Sequence, residues 1–233
     1  MTCDVCIRFL AGPALMALAA LASPWANAQS FCSSDGQTQP ARLLERFINA
    51  DCESCWADGA APADPDELAL DWIVAGSKGE DAPLAAAAST DAAARLASLQ
   101  RATPAAVDAV RRVVQAPRRG LRVSHGLPFN GYLGTSLELK SPRRETWTAW
   151  LLLVETIPAG SDGTPIERNL VRNALQLAWP AGPEQARLYE SRPMSIPPGA
   201  QPERLRVVGW VQDGRGRVRA IAQSRCTPAA AGG

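Results

Sequence analysis

Residues 42–55 read RLLERFINADCESC, which joins an apolar run to two closely spaced cysteines. The first nine residues of this stretch are predicted to form a β-strand that leads directly into the C-x-x-C motif of Cys52 and Cys55. A short helix is predicted from Cys52 to about residue 61, with Asp51 as its N-cap, because aspartate caps helix N-termini well. The predicted fold is built around this strand, the cysteine pair and the helix that follows.

The motif has the arrangement that thiol–disulfide exchange uses. The N-terminus of a helix carries partial positive charge and free N–H groups, and both stabilise a thiolate. An offset of three residues lets the second sulfur attack the mixed disulfide that the first has formed. By analogy with thioredoxin-type sites, Cys52 is predicted to be the nucleophile and Cys55 the resolving thiol. These two cysteines are the candidate catalytic residues of the chain.

The charges next to the motif oppose this chemistry. Asp51 and Glu53 flank Cys52, and no lysine or histidine lies nearby in the sequence. Negative charge beside a thiol disfavours the thiolate. A second interpretation therefore stays open, in which the same cysteine pair is an inert structural disulfide.

The segment RFINADCESCWAD (46–58) resembles the opening of exported bacterial thioredoxin-like proteins of unassigned function. The resemblance continues at WLLLVE (150–155), NLVRNAL (169–175) and LRVVGWVQDGRGRVRAIAQS (205–224), which are similar to the C-terminal β segment of that family and of a related outer-membrane protein family. It implies class α+β, with a reduced thioredoxin-like α/β N-terminal half followed by an antiparallel β-sandwich-like C-terminal half. It also implies a proline, normally cis, opposite the cysteine pair, for which Pro104 and Pro128 are the candidates.

The chain divides into four predicted parts. Arg8, an apolar run and then Ala26-Asn27-Ala28 follow the order of a secretory signal peptide, so cleavage is predicted after Ala28. Because no second long apolar segment follows, the mature protein is predicted to be periplasmic or secreted, without membrane insertion. The predicted parts are a signal peptide (1–28), a thioredoxin-like region with the C-x-x-C (29–120), a β-sandwich-like region (121–226) and a disordered tail (227–233).

Local patterns predict further elements. Residues 84–100 are rich in alanine and leucine, which favours a helix. A second helix is predicted over 105–115, with Thr103-Pro104 at its start and Val107, Val110 and Val114 on one face. Strands are predicted at 68–75, 132–140 and 146–156 and in a hairpin of 204–212 with 217–224, whereas 169–179 is left open between helix and strand.

Four cysteines remain after the predicted cleavage: Cys32, Cys52, Cys55 and Cys226. An even number in an oxidising compartment favours disulfides, and four cysteines allow three pairings. Cys52 and Cys55 are predicted to pair as near neighbours, which leaves Cys32 with Cys226. The only histidine, His125, is interpreted as structural. A zinc site of these cysteines with His125 is conceivable by ligand type but needs reduced thiols, so no metal and no cofactor are predicted.

The histidine count and the net charge argue against two classes of function, metal sites with two histidines and nucleic-acid binding. A single histidine excludes sites that need two imidazoles, such as the zinc proteases with an H-E-x-x-H motif. The net charge of +1 and the scattered arginine pairs give no basic patch, so no nucleic-acid partner is predicted. The predicted function is thiol–disulfide oxidoreduction with a thiol or disulfide protein of the cell envelope. The alternative is a non-enzymatic envelope binding or structural module, and the oligomeric state is left open.

Overall fold

The computed structural model describes residues 32–59, 61–140, 144–182 and 187–226. The signal peptide predicted at 1–28 and the disordered tail predicted at 227–233 lie outside these residues. The described chain is mostly β, with twelve strands in two sheets and two short α-helices. No helix in this part of the chain is long and apolar enough to span a membrane.

The elements follow one another in chain order as β1 (Cys32–Ser33), β2 (Arg42–Asn49), α1 (Glu53–Ala57), β3 (Glu67–Val74), α2 (Thr90–Ser98), β4 (Val107–Val113), β5 (Leu121–Phe129), β6 (Tyr132–Lys140), β7 (Trp147–Ile157), β8 (Arg168–Trp179), β9 (Arg187–Ser195), β10 (Leu205–Asp213), β11 (Val218–Gln223) and β12 (Arg225–Cys226). Short 3-10 turns lie at Gly79–Asp81, Ala85–Ala87 and Pro202–Arg204. The strands predicted at 68–75, 132–140 and 146–156 and in the closing hairpin are confirmed, and the open segment 169–179 is a strand.

A seven-stranded sheet has the order β11-β10-β7-β8-β3-β2-β4, and a five-stranded sheet has the order β12-β1-β5-β6-β9. The sheets pack face to face through an apolar core that includes Val123, Leu137, Leu151 and Val207. A side chain at Gly209 of β10 would put its Cβ 2.8 Å from atoms of Val123 and Leu137, so this close approach of the sheets requires glycine.

The opposite face of the seven-stranded sheet is covered by α2. Ser89 caps this helix by accepting a hydrogen bond from the Ala92 N–H at 3.2 Å. Below it, Arg95 forms a buried ion pair with Glu45 of β2 at 2.7 Å, and its guanidinium lies 4.3 Å from the centroid of the Trp150 ring. The helix predicted over 84–100 is thus confirmed only over residues 90–98.

The predicted class, a reduced thioredoxin-like α/β half followed by an antiparallel β-sandwich-like half, is wrong. The second helix of that half, predicted over 105–115, is instead β4, an edge strand antiparallel to β2. Val107 packs beside the cluster of Ile48 and Trp56, whereas Val110 packs beside the cluster of Phe47 and Trp72 on the other face. An odd spacing puts two side chains on opposite faces of a strand, so the valines fit a strand that is covered on both sides.

The seven-stranded sheet also crosses the boundary predicted at residue 120. Strands β2, β3 and β4 precede this boundary, and they share the sheet with β7, β8, β10 and β11, which follow it. Strands from both predicted regions, 29–120 and 121–226, therefore share one sheet.

Both predicted disulfides are present. Cys32 pairs with Cys226 across the directly opposed strands β1 and β12, and Cys52 pairs with Cys55. The first joins residues 194 positions apart in the sequence, and the second joins residues three positions apart.

The two groups of strands in the large sheet meet where β3 and β8 run parallel, with Asp71 and Leu170 as the register pair. Side chains reinforce this junction. The buried Asp71 carboxylate accepts hydrogen bonds from Arg46 Nη2 at 2.9 Å, Arg168 Nη1 at 3.2 Å and the Asn169 N–H at 3.1 Å. Two guanidinium groups and a backbone amide thus compensate for the lost hydration of a buried charge.

We expect the substitution Asp71→Asn to lower the free energy of unfolding by about 3–5 kcal/mol, because it leaves two buried guanidinium groups without their counter-charge. Urea denaturation followed by circular dichroism measures this loss. The matched control is Asp66→Asn, which removes a carboxylate with a half-exposed side chain that lies 3.4 Å from Arg42. We expect the control to cost less than about 1 kcal/mol. Equal losses in the two variants would contradict the role assigned to Asp71.

Candidate functional site

The C-x-x-C lies at the C-terminal end of β2. Cys52 occupies the N-cap position of α1, a helix of only five residues, and both bonded cysteines are half-buried. The Cys52 sulfur lies 3.6 Å from the Ser54 hydroxyl. Cys55 packs against the apolar cluster that includes Trp56 and Ile73. Cys52 therefore has a hydroxyl beside it, and Cys55 is the cysteine packed on the core.

The prediction that Asp51 caps α1 is wrong, because no side chain in the described part of the chain caps this helix. The Asp51 carboxylate accepts hydrogen bonds from the Ser77 N–H at 2.7 Å, the Ser77 hydroxyl at 2.8 Å and the Lys78 N–H at 3.2 Å. Desolvation opposes these donors, but together they lower the pKa of Asp51 below its ordinary value. The turn after β3 thus holds one of the two acidic groups that flank Cys52.

Gly76 makes this contact possible. A Cβ at this position would lie 2.3 Å from the side-chain oxygens of Asn49 and Asp51. Asn49 in turn accepts a hydrogen bond from the Asp51 N–H at 2.8 Å. Residues 49–51 and the turn at 76–78 therefore form one tightly packed support for the chain that enters the cysteine motif.

Arg168 supports the other end of α1. Its Nη2 donates to the carbonyl oxygens of Trp56 and Asp58, each at 2.7 Å, and to that of Cys55 at 3.3 Å. The last carbonyls of a helix lack partners within the helix, and a cation is favourable there. Because Arg168 also bonds to Asp71, the helix that carries Cys55 is tied to the buried junction of β3 and β8.

Sequence reasoning missed Arg168, Asp71 and Arg46 as parts of the site. A signal was present for two of them. Asp71 interrupts the apolar run LALDWIVA, and Arg46 together with Glu45 interrupts LLERFI. A charged side chain inside a buried strand requires a buried partner. Arg168 gave no such signal, because it stands at the start of the segment whose structure the sequence left open.

The two candidate prolines lie in different places. The Pro104 carbonyl accepts a hydrogen bond from Asn49 Nδ2 at 2.8 Å, so this residue lies beside the end of β2, near the cysteine motif. Pro128 lies on β5 in the other sheet, opposite Leu133. Every peptide bond in the described ranges is trans, so neither residue is the predicted cis proline.

A pocket of about 210 Å³ lies beside α1, with Trp56, Ile73, Leu84 and Leu170 among its lining residues. Glu155 and Arg172, which form an ion pair at 2.6 Å, also line it. The pocket therefore offers an apolar wall and a charged pair next to the helix that carries Cys55.

The structure separates the cysteines into two sites. His125 lies on β5 in the five-stranded sheet, opposite Cys32, and not with the C-x-x-C on the large sheet. Burial lowers the pKa of His125 in spite of a hydrogen bond to the Gly126 carbonyl. A zinc site that combines Cys52 and Cys55 with His125 is therefore not formed by this fold.

The sequence matches no family model, and no curated protein is significantly similar to it. The thioredoxin-like resemblance of the cysteine motif stays a prediction, and the two-part fold that it implied is corrected above.

We expect the substitution Gly76→Ala to destabilise the protein by about 1–3 kcal/mol, the usual cost of overpacking, and to shift residues 49–52. The added methyl group collides with Asn49 and Asp51, so Asp51 must leave the Ser77 turn. The matched control is Gly134→Ala on β6, where an added Cβ meets no atom within 4 Å. Thermal unfolding and backbone amide NMR shifts measure both effects, and unchanged shifts at residues 49–52 in Gly76→Ala would contradict this packing.

Proposed function

We propose that this chain is an exported thiol–disulfide oxidoreductase that uses Cys52 and Cys55, with a thiol or disulfide protein of the cell envelope as its partner. The observation that carries the proposal is a half-exposed disulfide at a strand end, supported from both sides by Asp51 and Arg168. The order of charge, apolar run and A-x-A site in residues 1–28 supports the exported location.

The short sequence separation of Cys52 and Cys55 favours a role in thiol–disulfide exchange over a role as a structural disulfide. In the chain-entropy model, closing a loop of about four residues contributes about 2 kcal/mol, whereas closing about 195 residues contributes about 5 kcal/mol. Cys32–Cys226, with its separation of 194 positions, therefore accounts for most of the cross-linking stability. Because Cys52 and Cys55 are only three positions apart, their disulfide contributes little to the stability of the fold.

In the reducing direction, the Cys52 thiolate attacks one sulfur of the partner's disulfide. This forms a mixed disulfide and releases the partner's other sulfur as a thiolate, which takes up a proton. The Cys55 thiol loses its proton and attacks the Cys52 sulfur, which restores the Cys52–Cys55 bond and releases the second partner thiol. Two electrons pass to the partner disulfide, and the reverse sequence oxidises a partner dithiol.

The surroundings of each sulfur fit these two roles. The Ser54 hydroxyl near Cys52 can donate a hydrogen bond to a thiolate, which stabilises the attacking group. Cys55 packs on the apolar cluster and its carbonyl is bonded to Arg168, so it keeps its position while Cys52 is joined to a partner. The pocket beside Trp56 is where we place a side chain of the partner that flanks its cysteine.

One observation favours the alternative function, a non-enzymatic envelope binding or structural module with an inert Cys52–Cys55 bond. Asp51 keeps its negative charge beside Cys52, since its hydrogen bonds lower its pKa, and the exposed Glu53 adds a second carboxylate. Both charges reduce the thiolate fraction of Cys52. The two functions differ in the reduction potential of the pair, which decides between them.

The test is a redox titration of the mature protein, with alkylation of free thiols and mass spectrometry to locate each label. We expect Cys52 and Cys55 to become labelled together between about −270 and −120 mV, the range of known exchange proteins. Cys32 and Cys226, as the reference pair in the same chain, should stay oxidised throughout this window.

Two double variants complete this test in an insulin-reduction assay. The variant Cys52→Ala with Cys55→Ala should stay folded and lose activity, because both exchanging sulfurs are gone. The variant Cys32→Ala with Cys226→Ala should unfold at a lower temperature and keep activity while it is folded. Protection of all four cysteines until the protein unfolds would instead establish the structural module.

A further inference from the structure

A second group of sulfur and nitrogen atoms lies in the five-stranded sheet, apart from the C-x-x-C. Cys32 on β1 is the register partner of Cys226 on one neighbouring strand and of His125 on the other. The three residues thus form one row across three adjacent strands. Both sulfurs and a ring nitrogen of His125 lie within 4.8 Å of one another.

The imidazole of His125 has one nitrogen in use and one without a partner. Its Nδ1 lies 2.9 Å from the Gly126 carbonyl oxygen, which suits Nδ1 as the donor and leaves the lone pair on Nε2. Only 5% of His125 is exposed, so water reaches the ring poorly. Its Nε2 is buried and has no hydrogen-bond partner among the described residues. Buried polar atoms almost always have partners, so this nitrogen calls for a ligand.

We propose that reduction of the Cys32–Cys226 disulfide creates a binding site for Zn²⁺, in which both thiolates and the His125 imidazole are the ligands. Two thiolates and one imidazole are a ligand set that selects zinc over hard cations such as magnesium. A backbone carbonyl that holds the other ring nitrogen is the usual second partner of a metal-bound histidine. The fourth position of a tetrahedral ion is left to water or an external ligand.

The reaction balances in two steps. A dithiol reductant transfers two electrons and two protons to the Cys32–Cys226 bond, and its own sulfurs become a disulfide. Zn²⁺ then replaces the two thiol protons, which are released to solvent, so the charge of the ion is balanced by the two thiolates. Cys226 is exposed, which gives reductant and ion a route to the otherwise buried row.

This inference is independent of the proposed exchange function, because the two sites lie on different sheets. The test therefore uses the mature chain with Cys52→Ala and Cys55→Ala, which removes the competing dithiol. A phosphine reduces the remaining disulfide and takes oxygen from water as it is oxidised. Zn²⁺ affinity is then measured by competition with a chromophoric chelator, and Co²⁺ serves as a spectroscopic substitute that reports sulfur ligation.

We expect one Zn²⁺ per reduced chain, none in the oxidised chain, and a sulfur-to-cobalt charge-transfer band with Co²⁺. His125→Gln should weaken Zn²⁺ binding more than about 10-fold, since even the loss of an outer partner of a ligand costs about 10–100-fold. The matched control Ser33→Ala changes the neighbouring residue of β1 and should bind normally. Equal affinity in the parent and in His125→Gln, or no binding by the reduced parent, would overturn the proposal.

If reduction unfolds the chain, circular dichroism measures whether Zn²⁺ restores the fold. Zn²⁺ stabilises a state that holds the assembled ligands, so it should then restore the folded spectrum of the reduced parent. The same addition should leave His125→Gln unfolded. An unfolded reduced parent that Zn²⁺ does not restore would also overturn the proposal.

Discussion

The carboxylate of Asp71 lies fully buried between the guanidinium groups of Arg46 and Arg168, at the place where β3 meets β8. This interaction joins the strands that precede the middle of the chain to those that follow it. Arg168 extends it to the carbonyls of α1, so the same charges that join the sheet also position the cysteine motif. Buried ion pairs of this kind contribute geometry more than net stability, because the desolvation of the charges offsets their attraction.

The two disulfides differ in kind. Cys52–Cys55 closes a short loop at a strand end, beside Trp56 and a small pocket. Cys32–Cys226 lies across two directly opposed strands and next to a buried imidazole nitrogen that has no hydrogen-bond partner among the described residues. We therefore propose separate consequences of reduction at the two pairs: exchange with another protein at the first and metal binding at the second.

The sequence predicted what depends on local pattern. The strand before the C-x-x-C, the glycine-containing hairpin of β10 and β11 and both cysteine pairings carry signals within a few residues or in a simple count. Sequence-based prediction was wrong where tertiary packing determines the secondary structure. The valines of β4 satisfy a helical spacing, but the edge of β2 offers them backbone partners and apolar surface on both faces. Likewise, the adjacency of Cys32 and His125 depends on the pairing of β1 with β5, two strands far apart in the chain whose pairing no local pattern specifies.

We propose that Cys52 is an accessible nucleophile on a rigid support and that Cys55, packed on the apolar cluster, is the resolving cysteine. This assignment of roles is tested most directly by the reaction of two single-thiol variants, Cys55→Ala and Cys52→Ala, with a small aromatic disulfide under native conditions. We expect Cys52, free in Cys55→Ala, to form the mixed disulfide faster than Cys55 does in Cys52→Ala, while both proteins stay folded. If Cys55 reacts faster, or if neither thiol reacts before unfolding, the assigned roles are wrong.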